Sequence, residues 1–260
     1  MPAVDHPSRP SEDIPVIDKY GLLPLSYYPS PWGRAAVVTR ILNQFSIPHI
    51  HWGDHVLRYY GADQIIRMVA ILIPDEKLTK ATQVLVDSGL EHCKCTNVIQ
   101  HFSHPAYGND LPAHFCFANG LVYLCTTSML LDQIPLREGD TNPLDLHIVE
   151  RVVPLLPGKV VGPMIDSSAL KNQSGDAESI DFQTVRFLDP RSITIVYLYM
   201  ERLLHEGKIT RSGIGMPWTA VVSIMAYHID LDNQILASIT NKVLHDDFLQ
   251  CKPYLASTLS

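Results

Sequence analysis

The stretch from Pro48 to Leu90 constrains the fold most, because its short apolar segments alternate with turns. Ile47–Trp52 predicts a short strand, and the Gly53-Asp54 pair predicts a turn into a short helix. Arg67–Ile73 is strongly apolar and ends at a proline, which predicts a second strand. An aspartate follows that proline and begins an amphipathic helix with apolar residues on one face. The stretch therefore predicts a strand–helix–strand–helix unit.

A β-hairpin is predicted over His114–Cys125, where two strand-like runs flank Asn119-Gly120. This dipeptide is typical of two-residue type I′ turns. Pairing across that turn places His114 opposite Cys125 and Ala118 opposite Leu121. Alternation along the strands puts the apolar side chains on one face and a chemically richer set on the other. The residues predicted to share the second face are His114, Cys116, Tyr123 and Cys125.

Composition and periodicity divide the chain into four predicted parts. The beginning is rich in proline and lacks periodicity, whereas Trp32–Phe45 and three apolar segments near the end repeat at helical spacing, which predicts helices. The serine-rich run Ser167–Ser179 has the composition of a mobile loop. The predicted parts are an extended arm at 1–31, an α/β core at 32–165, a mobile loop at 166–181 and a helical annex at 182–260.

The strand, glycine turn, short helix, apolar strand and Pro-Asp helix start together resemble the opening of the nucleotidyltransferase fold. The resemblance implies an α/β core with a mixed sheet. It also implies two metal-binding aspartates on the second strand, and alignment on Pro74 places those positions at Met68 and Ala70. Neither residue can ligate Mg²⁺, which requires oxygen donors. Because Asp and Glu are also absent from Leu111 to Leu131, we expect no metal site and no nucleotidyl transfer.

The cleft that the resemblance implies would, without carboxylates, favour an uncharged and largely apolar ligand. The residues predicted to bind such a ligand are Trp52, Asp54, Met68, Ala70 and Cys116. The hydrogen-bond donors predicted to act in catalysis are Arg58, Arg67, His114 and Tyr123. The alternative is a collapsed cleft in which Met68 fills the core, a role that suits methionine.

In size and overall pattern, the chain resembles stand-alone, degenerate nucleotidyltransferase-like proteins of filamentous fungi. It also resembles the Diels–Alderases that form a norbornene ring in sordarin-type diterpenoid pathways. This resemblance implies a metal-independent, cofactor-free cyclase or pericyclase of fungal terpenoid secondary metabolism. Catalysis would consist of holding an apolar substrate in a reactive conformer and hydrogen-bonding a carbonyl. The alternative is a non-catalytic pseudoenzyme that serves as a scaffold or regulatory binding protein.

The composition argues against several other classes of protein. A net charge of −7 over 260 residues argues against nucleic-acid binding, which favours a basic face. The sequence contains no apolar run of about 18 residues and no signal-like beginning, so neither a membrane span nor secretion is predicted. Five cysteines suit a reducing compartment, and the cytoplasm is the predicted location. Cys93 and Cys95 are separated by one residue, which does not match zinc-binding spacings, and no cofactor is predicted. The sequence makes no prediction of the oligomeric state.

Overall fold

A computed structural model describes most of the predicted core and the first helix after it. The described residues are Leu22, 27–60, 68–90, His92, 113–117, 120–126, Asp140, Asn142, 144–163, 181–206 and Lys242.

Six strands form one mixed sheet in the order β3-β4-β2-β1-β6-β5. Parallel pairing joins β1 to β6 and β2 to β4, while the three other neighbouring pairs are antiparallel. The predicted α/β class with a mixed sheet is therefore confirmed. The strands are β1 (Ile50–Trp52), β2 (Met68–Ile73), β3 (Ala113–Phe117), β4 (Gly120–Thr126), β5 (Ile148–Pro154) and β6 (Phe182–Leu188).

The described helices begin where the sequence offers starting signals. The hydroxyl of Ser30 accepts a hydrogen bond from the Gly33 amide at 3.0 Å, and a proline occupies the first helical position after Ser30. A short 3₁₀ turn, Asp75–Lys77, follows the proline that ends β2 and leads into the next helix. The helices are α1 (Pro31–Gln44), α2 (Asp54–Tyr59), α3 (Leu78–Asp87) and α4 (Pro190–His205).

The centre of the sheet is apolar on both faces. Along β2, three consecutive residues, Ile71, Leu72 and Ile73, are fully buried. The neighbouring parallel strand β4 buries Val122 and Leu124 to the same degree. Parallel strands covered on both faces have continuous apolar runs, which explains why Arg67–Ile73 could be identified as a strand from its sequence.

Helices cover opposite faces of the sheet at β1. His51 and Trp52 are consecutive strand residues, so their side chains point to opposite faces. The His51 ring hydrogen-bonds to Thr39 of α1, whereas Trp52 stacks on Tyr197 of α4. The helix α1 therefore lies on one face and α4 on the other.

Most of the predicted elements are confirmed within one to three residues of their predicted bounds. The strand predicted at Ile47–Trp52 is β1, and the strand predicted at Arg67–Ile73 is β2. The helix predicted at Trp32–Phe45 is α1. Within the described residues, no helix combines the length and apolar character needed to cross a membrane.

The predicted register of the hairpin is wrong by two residues. His114 pairs with Tyr123 rather than with Cys125, and Phe117 pairs with Gly120. Gly120 therefore belongs to β4 and not to the turn. The physical reason is that the apolar pattern is the same in both registers, so the turn signal alone had to distinguish them, whereas both strands also pair outside the hairpin, β4 with β2 and Phe115 with His92. A shift of two residues leaves each side chain on its predicted face.

The predicted boundary at residue 182 is also misplaced, because β6 begins there and pairs with β1 inside the sheet. The helical region after the sheet starts at Pro190 instead, with α4. The strand β6 was missed because its alternation of polar and apolar residues covers only Thr184 to Phe187, so pairing with distant strands decides its conformation. The other two helices predicted near the end of the chain, and the predicted arm and mobile loop, lie outside the described residues apart from a few positions.

Replacing Gly53 with alanine should destabilise the fold. Gly53 joins β1 to α2 with φ 79° and ψ −150°, a conformation that is essentially restricted to glycine. We expect Gly53→Ala to lower the free energy of unfolding by about 1–3 kcal/mol, measured by urea denaturation. The matched control is Gly162→Ala, whose added methyl group would meet no atom within 4 Å and should change stability by less than about 0.5 kcal/mol. Equal losses in the two variants would contradict this account of Gly53.

Candidate functional site

Four of the predicted site residues form a row across four strands. Trp52 of β1 pairs with Ala70 of β2, Ala70 pairs with Tyr123 of β4, and Tyr123 pairs with His114 of β3. Directly paired residues present their side chains on the same face of a sheet. We call these residues the four-strand row. Each of the four side chains is no more than 6% exposed, so the row lies in the interior.

Tyr197 of α4 covers one end of the four-strand row. Its ring stacks on that of Trp52, with centroids 5.6 Å apart and an angle of 18° between the planes. Burial raises the pKa of the Tyr197 phenol, and the negative charge of Asp54 raises that pKa further. Tyr197 is therefore a neutral hydrogen-bond donor at neutral pH. Sequence reasoning missed it, because Tyr197 falls on the apolar stripe of a predicted helix and nothing in that stripe distinguishes it from core.

The other predicted site residues do not belong to the four-strand row. Asp54 is the half-buried first residue of α2, and Arg58 is exposed on the same helix. Met68 and Cys116 each pair with Leu121, but their side chains lie outside what the structure describes. Arg67 also lies outside the described residues.

A second group of polar side chains is buried on the other face of β1. His51 and His55 are completely buried, and His49 is 5% exposed. The Nε2 atom of His51 lies 2.6 Å from the hydroxyl of Thr39, and its Nδ1 atom lies 3.2 Å from Nε2 of His55. The ring of Trp32 packs edge-on against His55, with centroids 4.9 Å apart. We call the three imidazoles the histidine cluster.

Burial keeps the histidine cluster neutral. It lowers the pKa of His49 to about 4 and that of His55 to about 3. It also lowers the pKa of His51, and the neighbouring imidazoles lower it further. The rings of His49 and His51 lie 6.2 Å apart. Among the described residues, no set of His, Cys, Asp or Glu side chains has the arrangement of a metal site.

A groove of about 350 Å³ opens beside the histidine cluster, where α1 ends near β5 and β6. His49 is one of the residues that line the groove. Two of the other lining residues, Arg186 and Glu150, are cross-strand partners, with Nε and Oε1 3.6 Å apart. The Arg186 charge lowers the pKa of His49, in addition to the larger effect of burial. The groove therefore brings solvent to one end of the histidine cluster.

Comparison with known proteins found no match to this chain. No protein-family model matches the chain, and no curated protein or solved structure was found to match it. The resemblance to the nucleotidyltransferase superfamily therefore stays a prediction that the residues alone support.

Replacing Thr39 with valine should destabilise the fold, because it removes the hydroxyl partner of His51 Nε2. Thr and Val are both β-branched, so the helix backbone of α1 is affected equally by either residue. A buried polar atom left without a partner costs about 1–3 kcal/mol, and we expect a loss of that size in urea denaturation. Thr184→Val is the matched control, because Thr184 is exposed on β6 and its replacement should change stability by less than about 0.5 kcal/mol. If both variants unfold at the wild-type urea concentration, the hydrogen bond contributes nothing to stability.

Proposed function

We propose that the chain is a metal-independent, cofactor-free enzyme that binds an apolar small molecule over the four-strand row. Within that class, the proposal is a cyclase or pericyclase of Diels–Alderase type in fungal terpenoid metabolism, built on a nucleotidyltransferase-like fold. The observation that carries the proposal is the composition of the row and its cover. Trp52 and Tyr123 flank Ala70 in the buried interior, His114 lies beside Tyr123, and Tyr197 stacks on Trp52.

The chemistry of a Diels–Alder reaction suits a site of this kind. A diene and an alkene combine by forming two carbon–carbon σ bonds. The two π bonds of the diene and the one π bond of the alkene are consumed, and one new π bond forms between the central diene carbons. The product is an isomer of the substrate, so the reaction exchanges no electron, proton or leaving group with the protein. The protein contributes by holding both reacting parts in contact and by hydrogen-bonding an activating carbonyl.

The row offers both contributions. Ala70 is the smallest side chain of the row and stands between the aromatic residues Trp52 and Tyr123, so we place the substrate over it. The neutral phenol of Tyr197 is our candidate donor to a substrate carbonyl, with Tyr123 and His114 as further polar groups on the same face. A hydrogen bond in such a water-poor interior is stronger than the same bond in water.

Burial also favours a second candidate function. The residues of the row are at most 6% exposed, and Tyr197 is 7% exposed, so a substrate can enter only if the cover over the row moves. If the cover does not move, the row is solid core. The chain would then be a non-catalytic scaffold or regulatory binding protein.

Enlarging Ala70 should separate the two functions. The probe is a synthetic diterpenoid that carries a cyclopentadiene and a tethered α,β-unsaturated aldehyde, and norbornene formation is followed by NMR with and without protein. We expect wild-type protein to accelerate this cyclisation. Ala70→Phe should abolish the acceleration while lowering the free energy of unfolding by about 1–3 kcal/mol, the usual cost of overpacking. Tyr197→Phe, which loses one donor, should slow the reaction by about 10²–10³-fold.

The matched control is Ala81→Phe, a buried alanine of α3 away from the row. It should lose comparable stability and keep the wild-type rate per folded molecule. If the activity of Ala70→Phe follows its folded fraction, as in the control, Ala70 is core and the scaffold function is favoured. Ala70→Val, a smaller enlargement, decides the question if Ala70→Phe does not fold. Absence of acceleration by wild-type protein would count against the proposed reaction.

A further inference from the structure

The histidine cluster has no part in the proposed reaction, although it places three titratable side chains in the interior. His51 lies on β1, His55 lies on α2, and both contact α1 through Thr39 or Trp32. The cluster is therefore the place where α1, β1 and α2 meet through polar groups. Neutral imidazoles fit this place, whereas a charged imidazole there would lose its hydration.

The hydrogen bonds of the cluster permit two arrangements of protons while His51 is neutral. In one, Nε2–H of His51 donates to the Thr39 hydroxyl and Nδ1 of His51 accepts from Nε2–H of His55. In the other, the Thr39 hydroxyl donates to His51, and Nδ1–H of His51 donates to Nε2 of His55. Nδ1 of His55 has no hydrogen-bond partner in the described part of the chain in either arrangement. Within the described residues, the ring of His55, at the end of this series of hydrogen bonds, therefore already has one nitrogen without a partner before any proton is added.

Few charged groups face the cluster, and they do not neutralise an added proton. On α2, Asp54 raises the pKa of His55, but burial outweighs it and the value stays at about 3. On β6, Arg186 opposes a positive charge on His49, and Glu150 of β5 lies across from that arginine. From α1 the cluster meets a hydroxyl and an indole ring, which are uncharged. A first proton is thus poorly accommodated, and a second is repelled by the first across the 3.2 Å contact of His51 and His55.

We propose that the histidine cluster is an acid-operated lock that fastens α1 and α2 to β1 and opens when its imidazoles take up protons. Uptake begins at His49, because that residue lines the groove and keeps 5% of its surface exposed, while the other two are fully buried. The lock is closed in the neutral state described here.

The direction of the pH dependence follows from the sign of the shifts. The ordinary histidine pKa of 6.5 is lowered in the folded protein, to about 4 for His49 and about 3 for His55. Unfolded chains therefore bind protons below pH 6.5 that the folded chain does not bind. The stabilisation is complete above pH 6.5 and is lost progressively as the pH falls toward the folded values.

The test measures proton uptake on unfolding. Urea denaturation of the full chain at a series of pH values between 7.5 and 4.5 gives the free energy of unfolding, and its slope against pH counts the protons taken up. The informative variants are His49→Asn and His55→Gln, whose amide nitrogens can replace the hydrogen-bonding nitrogens of each ring. We expect each variant to take up about one proton fewer than wild type below pH 6.5. His147→Gln is the control, because that side chain is 59% exposed and its removal should leave the uptake unchanged.

A second measurement reports on the lock locally. Trp32 contacts the rings of His51 and His55, so ¹⁹F NMR of folded 5-fluorotryptophan-labelled protein, assigned with Trp32→Phe, reports on the lock. Its signal should stay constant down to about pH 4.5 and change as the pH falls through the folded pKa values of about 4 for His49 and about 3 for His55. The proposal is overturned if the two cluster variants keep the wild-type uptake, or if wild-type stability does not fall between pH 6.5 and 4.5. It is also overturned if the Trp32 signal stays constant as the pH falls through those folded pKa values. Should one cluster variant fail to fold, the other variant decides.

Discussion

The short strand β1 is the constraint on which the rest of the structure depends. It spans three residues and joins two parts of the sheet, with antiparallel β2 on one side and parallel β6 on the other. A strand of three residues contributes few backbone hydrogen bonds. Side-chain packing must therefore supply most of the interactions that hold β1 in the fold. Ile50 and His51 are completely buried and Trp52 is nearly so. Because side chains alternate along a strand, His51 lies in the histidine cluster on the face that α1 covers, and Trp52 lies in the four-strand row on the face that α4 covers.

One electrostatic rule accounts for the polar groups on both faces of β1. Removal from water disfavours the charged form of any side chain, which lowers the pKa of a histidine and raises that of a tyrosine. The pKa values of His51 and Tyr197 are shifted in these opposite directions by the same cause. Both side chains therefore remain neutral and act through hydrogen bonds. The guanidinium of Arg58 is exposed on α2 instead.

Local sequence signals predicted the helices and strands whose conformation is determined by nearby residues. They failed where pairing between distant strands determines the conformation or the register. The apolar run of β2 and the helical spacing of apolar residues in α1 could be identified because each is a local signal. The strand β6 could not, because its alternation of polar and apolar residues is confined to the stretch from Thr184 to Phe187. Likewise, the turn signal alone did not determine the register between β3 and β4, because a shift of two residues leaves the apolar pattern unchanged.

In the candidate site, too, some residues could be predicted from the sequence and others depend on packing between distant elements. The resemblance placed Trp52, Ala70, Tyr123 and His114 in one cleft, and the strand pairing puts them in one row. Their part in binding or catalysis stays a prediction. Tyr197 and the link from Thr39 to the histidines could not be predicted, because each depends on how a helix crosses the sheet. Helix placement is determined by packing over many residues and leaves no mark at a single position.

The two faces of β1 are mechanically linked through its backbone. His51 and Trp52 are consecutive, so a displacement of β1 that separates His51 from Thr39 also moves the ring of Trp52 against Tyr197. Cores are close-packed and respond to such displacements by changing between discrete arrangements rather than by deforming smoothly. Any event that loosens the histidine cluster therefore also loosens the cover over the four-strand row. Conversely, a ligand that held Trp52 in place over that row would stabilise the neutral histidine cluster on the opposite face, since binding free energies between two linked sites are reciprocal.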